Sequence, residues 1–101
     1  MTQLGVLFQA HIRVLHHPTG LQEGHQITVH IGNVRQTAIV ERIMNVNRLS
    51  TDESSSIMFR FLKKPEYISK GSRVYICEKT TKAIGKVIQG FKYHPLQTTE
   101  Q

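Results

Sequence analysis

Apolar and polar residues alternate along several short stretches of this chain. In the stretch 8–14 every second residue is apolar, and these residues are Phe8, Ala10, Ile12 and Val14. A period of two places successive side chains on opposite faces of a β-strand. Pro18 follows shortly afterwards, and a proline cannot donate a hydrogen bond to a sheet. The pattern therefore predicts a β-domain that begins almost at the first residue.

The same reasoning predicts six strands. They run over about residues 6–15, 25–31, 35–44, 56–63, 73–78 and 82–89. The stretch 45–55 is polar and has no helical period, which predicts a loop, and no amphipathic helix of useful length is visible elsewhere. The predicted fold class is therefore all-β. Six strands in so short a chain favour a closed barrel or a compact sandwich, because closure removes exposed strand edges.

Length and composition limit the possible organisation. With 101 residues, of which 39% are hydrophobic, we expect one β-domain over 1–91 and a flexible polar tail over 92–101. Cys77 is the only cysteine, which excludes an internal disulfide and favours a half-buried place in a strand. No segment has the length of a membrane span or the composition of a signal peptide. These features predict a cytoplasmic protein without a membrane partner.

The residues that usually carry enzyme chemistry are scattered. His16 and His17 are adjacent in an extended segment, and His25 and His30 have opposite strand parity, so neither pair shares a face as a metal site requires. The seven acidic residues form no spaced pair, and no Gly-rich loop precedes a Lys-Ser or Lys-Thr pair. We therefore expect no catalytic residues, no metal site and no cofactor in this chain.

The net charge of +6 favours anionic partners such as phosphates. Basic and polar residues suited to phosphate and ribose oxygens lie at the start of the third predicted strand and in the final hairpin. These RNA-binding candidates are Arg35, Gln36, Thr37, Lys79, Thr80, Thr81 and Lys82. Lysine and threonine are also common in any solvated turn, so composition alone leaves both interpretations open.

Several segments resemble the C-terminal β-barrel domain of elongation factor Tu and elongation factor 1A. They are the strand at 8–15, the His17-Pro18 turn, the stretch 29–39 with its Thr-Ala pair, and the final hairpin at 73–87. Further segments resemble the GTP-binding protein 1 and 2 group of this superfamily. They read His-His-Pro-Thr at 16–19, Val-Arg-Gln-Thr-Ala at 34–38 and Phe-Arg-Phe-Leu-Lys-Lys-Pro-Glu-Tyr at 59–67. The resemblance covers about residues 6–90.

The resemblance implies a six-stranded antiparallel Greek-key barrel, cut from a larger GTPase that binds GTP and Mg²⁺ in an upstream G domain. It implies contacts with that G domain, with a second barrel and with tRNA or another RNA. It also implies that the fragment is a monomer. Gln36 and Thr37 match a pair in the family's third strand, and Thr81 matches the threonine of its final hairpin. Cys77 stands where the family usually has an arginine. A purely structural, protein-binding barrel remains the alternative.

Overall fold

The computed structural model describes the backbone of residues 2–92 and the side chains of residues 6–90. Residues 93–101, which include most of the predicted tail, lie outside this range. The strands are β1 (Thr2–His16), β2 (Leu21–Gln22), β3 (Gln26–Ile31), β4 (Val34–Ile43), β5 (Arg48–Leu49), β6 (Ser54–Phe61), β7 (Glu66–Ser69), β8 (Arg73–Cys77) and β9 (Lys82–Lys92). The range 2–92 contains no helix, and therefore none that could cross a membrane.

Six strands close into an antiparallel barrel. Their order around the barrel is β6-β4-β3-β8-β9-β1, and β1 completes the ring by pairing with β6. The chain leaves β1, crosses to β3, and returns through β4 to β6 at the side of β1, which is a Greek-key order. The predicted all-β barrel is confirmed, and the sandwich alternative is excluded because the six strands form one sheet that closes on itself through the β1–β6 pairing.

The inward side chains are those that the alternation predicted. Phe8, Ala10, Ile12 and Val14 of β1 are fully buried. The ring of Phe8 lies 5.0 Å from the ring of Phe59 on β6, in a stacked arrangement. The remaining members of the core come from all the other strands of the barrel and from the short strands. One continuous apolar core therefore fills the interior of the barrel.

Three short strands were not predicted. β2 and β5 pair with each other, and their facing residues Leu21 and Leu49 are both buried in the core. The prediction that 45–55 is only a polar loop was therefore wrong, because Leu49 anchors it to the core. β7 pairs with residues 2–5 of β1, so a short strand also forms between the fourth and fifth predicted strands.

Gly85 permits β9 to approach β1 closely. It lies opposite Ile12 on β1 and opposite Val74 on β8. A Cβ atom built on Gly85 would lie 2.0 Å from the carbonyl oxygen of His11 and 2.7 Å from Cδ1 of Ile12. A glycine inside a strand is often a place where another backbone comes near. Here it lets β9 lie close against β1.

Two histidine rings pack together where the loop after β1 meets the start of β3. The rings of His17 and His25 are 5.6 Å apart and nearly parallel, at 13°. Nδ1 of His17 accepts a hydrogen bond from the backbone N–H of Thr19, and Nδ1 of His25 accepts one from that of Gln22. Each bond requires an unprotonated Nδ1. Burial, followed by the neighbouring charges of His25 and His16, lowers the pKa of His17.

Gly85→Ala should destabilise the barrel. The added methyl group meets the backbone of β1 rather than a movable side chain, so we expect a loss of about 2–3 kcal/mol, the upper part of the range for overpacking. Urea denaturation measures the loss. Lys86→Ala, at an exposed position of the same strand, is the matched control and should change stability far less. Equal losses in the two variants would contradict the close approach.

The stability of the domain should decrease as the pH falls below about 6.5, the pKa of histidine in an unfolded chain. Because the pKa of His17 is lowered in the folded state, the unfolded chain takes up the proton first, and stability is lost until the pH passes below the folded pKa. In His17→Asn the side-chain oxygen can accept the Thr19 N–H at any pH. Urea midpoints at about pH 7.5 and 5 should therefore differ less in this variant than in the natural chain.

Candidate functional site

A row of outward side chains crosses five neighbouring strands of the barrel. The register places Arg35 on β4 opposite His30 on β3, and His30 opposite Tyr75 on β8. Tyr75 lies opposite Ile84 on β9, which in turn lies opposite Arg13 on β1. This central row has an aromatic and an aliphatic residue in the middle and a guanidinium group at each end.

A second row on the same face is basic throughout. Lys86 on β9 lies directly opposite Arg73 on β8 on one side and opposite His11 on β1 on the other. All three are exposed. Like charges directly opposite each other on a sheet are destabilising. Among the described residues, Arg73 and Lys86 have no ion pair with a carboxylate. This row therefore favours an anion supplied from outside the barrel.

A third row lies on the other side of the central one. Lys82 on β9 lies opposite Cys77 on β8 and opposite His16 on β1. Cys77 is exposed, so the prediction of a half-buried cysteine was wrong. We call the three rows together the basic face, and its members are Arg35, His30, Tyr75, Ile84, Arg13, Arg73, Lys86, His11, Cys77, Lys82 and His16.

Little negative charge compensates the basic face. Within the described range, its one ion pair joins Arg13 to Asp52 at 3.8 Å, and both side chains are more than half exposed. The other ion pair of this range joins Arg60 on β6 to Glu41 on β4 at 2.9 Å, away from the face. The hydrogen bond from Arg60 lowers the pKa of Glu41. Exposed pairs contribute about 0–1 kcal/mol, so these pairs leave the field of the face largely intact.

The structure separates the predicted RNA-binding candidates into two groups. Arg35, Lys79, Thr80 and Lys82 are exposed, and Thr37 is half-buried. Lys79 and Thr80 lie in the turn between β8 and β9, next to the third row. Arg35 lies at the end of the central row. The four exposed side chains therefore border or belong to the basic face, which the sequence alone could not establish.

Gln36 lies inside the barrel, where it holds the connection between β6 and β7. Its Oε1 accepts hydrogen bonds from the backbone N–H of Lys63 at 2.7 Å and of Lys64 at 3.2 Å. Its Nε2 donates to the carbonyl oxygen of Lys64 and to the carboxylate of Glu66 at 2.6 Å. The amide has thus used both donors and both lone pairs within the domain. This position gives Gln36 an internal, structural role.

Thr81 is also buried, with 3% of its surface exposed. Its carbonyl oxygen accepts a hydrogen bond from the backbone N–H of Glu78 across the final turn. The carboxylate of Glu78 then accepts the backbone N–H of Thr28 at 2.7 Å, beyond the last paired residues of β3 and β8. Thr81 and Glu78 therefore fix the shape of the hairpin that presents Lys79 and Lys82.

Sequence reasoning missed Arg73, Tyr75 and Lys86 as members of the surface. Strand parity carried the signal, because Val74 and Ile76 are inward and the residues beside them must point outward. The order of the strands around the barrel was also needed, since it is what brings β8 between β3 and β9. Within the described range, no group of three or more His, Cys, Asp or Glu side chains is arranged to hold a metal ion.

Comparison with known proteins finds relatives that share this segment, although no protein-family model matches the chain. GTP-binding protein 2 of Mus musculus and that of Homo sapiens are each 48% identical to it over 81 residues. GTP-binding protein 1 of Xenopus laevis is 41% identical over 80 residues.

The matches to the two GTP-binding proteins 2 each cover 80% of this chain, and the match to GTP-binding protein 1 covers 79%. The chain spans only 14% of the length of the first two relatives and 12% of the third. The segments at 16–19, 34–38 and 59–67 had indicated the same group of proteins. The chain is therefore homologous to one segment of GTP-binding proteins 1 and 2.

Proposed function

We propose that this barrel is a non-catalytic, RNA-contacting domain of a larger, elongation factor-like GTP-binding protein. GTP and Mg²⁺ belong to an upstream G domain in this proposal, and the RNA is a tRNA or a related structured RNA. The names of the relatives and the small share of their length support a domain of a larger GTP-binding protein. The cytoplasm is the expected compartment.

The observation that carries the RNA contact is the uncompensated charge of the basic face. Its exposed cations lie on rigid neighbouring strands about 4.8 Å apart, and residues two apart along a strand are about 6.6–6.8 Å apart. Contacts of this kind bind phosphates without reading base identity. Lys79 borders the face at the final hairpin, and a lysine ammonium group binds a phosphate as a point charge.

The same proposal assigns the contacts with other domains to surfaces outside the basic face. Leu62 and Tyr67 are exposed at 43% and 68%, after β6 and within β7. Apolar side chains of this size at the surface suit packing against the G domain or the second barrel of the same protein. If the chain binds no RNA, these residues support the alternative of a purely structural, protein-binding barrel.

Reversing three charges in and beside the basic face should weaken RNA binding. The test variant is the triple substitution Arg35→Glu, Lys79→Glu, Lys82→Glu. The slope of log affinity against log salt concentration should become shallower by about three if each cation contacts one phosphate. Fluorescence anisotropy with a labelled tRNA, over a series of salt concentrations, measures both affinity and slope.

The matched control carries the same change in net charge at exposed residues outside the three rows. It is the triple variant Arg42→Glu, Lys63→Glu, Lys70→Glu. If the control reduces affinity and slope as much as the test variant, net charge alone attracts the RNA and the basic face is not its docking surface. If the natural chain shows no RNA binding even at low salt, the RNA-contacting function is excluded.

A further inference from the structure

A shallow groove crosses the middle of the basic face. It has a volume of about 330 Å³ and runs along the outer surface of β8, β9 and β1. The backbone at Gly85 lies between the two rows that border the groove. The groove walls come from the central row and the basic row, namely Tyr75, Ile84, Arg13, Arg73, Lys86 and His11. The size is at the lower end of ligand sites, which are about 300–1,000 Å³.

Two apolar side chains in this groove remain exposed. Tyr75 and Ile84 lie directly opposite each other, and 47% and 42% of their surfaces are accessible. Val74 and Ile76, on either side of Tyr75 in β8, point inward and belong to the core, whereas the ring of Tyr75 lies outside it. An aromatic ring on the outside of a sheet, among cations, is the arrangement on which nucleic-acid-binding domains stack single-stranded bases.

The charges around the two apolar residues decide which ligand suits the groove. Arg73, Lys86 and His11 border one side of it, and Arg13 lies at the end of the central row. No carboxylate lines the groove. An uncharged apolar ligand would not reduce the repulsion between the opposed cations. A ligand with a flat ring and an attached phosphate would contact both the apolar side chains and the cations.

We propose that the groove holds one unstacked base of single-stranded RNA, with its face on the ring of Tyr75 and beside Ile84. Arg73 and Lys86 bind the phosphate of that nucleotide. This inference rests on the proposed RNA contact and adds its structural class, because a base inside a continuous duplex has no free face to offer. The favoured ligand is therefore a loop, bulge or unpaired end.

Substitutions of Tyr75 separate stacking from charge. Tyr75→Val removes the ring but suits a strand, and Tyr75→Phe keeps the ring. For oligouridylate we expect Tyr75→Val to weaken binding about tenfold, the size measured for the loss of one stacked base, and Tyr75→Phe to bind within about twofold of the natural chain. Binding to a blunt-ended RNA duplex should be unchanged in both variants. Tyr67→Val, at an exposed tyrosine outside the basic face, is the control.

Each other result overturns the inference. Equal losses for oligouridylate and duplex in Tyr75→Val would show that the ring supports the surface and does not stack on a base. Tight binding of free uridine monophosphate, comparable to that of oligouridylate, would make the groove a free-nucleotide site. If the natural chain binds the duplex but not oligouridylate, the inference fails and the proposed function survives. If it binds neither, both fail. Thermal melting of each variant verifies that it is folded.

Discussion

The pairing of β1 on both sides is the constraint on which the rest of this structure depends. β1 is hydrogen-bonded to β6 along 7–13 and to β9 along 5–16, and its first residues also pair with β7. Closure at this strand removes the free edges that an open sheet would present to other chains. It also requires β9 to come close, and Gly85 is the residue that allows it.

Closure gives each strand one inner and one outer face. The inner faces of all six barrel strands meet in a single core, in which Phe8 contacts both Phe59 and Phe61. The outer faces of neighbouring strands then form rows whose members are fixed by the register. Because the rows are set by backbone pairing, a cation such as Lys86 stays opposite Arg73 even though like charges disfavour that arrangement. Burial of the apolar core outweighs this local electrostatic repulsion.

The sequence predicted the part of the fold that is periodic. Alternation predicted the six barrel strands and, in β1, the inward residues Phe8, Ala10, Ile12 and Val14, but two-residue strands such as β2 and β5 have no period to detect. Gln36 was predicted as a surface residue because it is polar, although it shares the parity of the buried Ala38 and Val40. The stacking of His17 on His25 depends on how a loop returns to the barrel, and no local pattern records that.

The location of the candidate site likewise depends on features of the fold that no local pattern in the sequence records. Local patterns could identify Lys79 and Lys82 in the final hairpin, but only the strand order shows that Lys79 borders, and Lys82 belongs to, a face with Tyr75 at its centre. Charge and aromatic surface have different consequences there. The cations act on any phosphate and lose strength in salt, whereas a ring acts only on a base whose face is free. The proposed RNA site combines both, and on this proposal it would distinguish unpaired RNA from duplex without a hydrogen bond to any base edge.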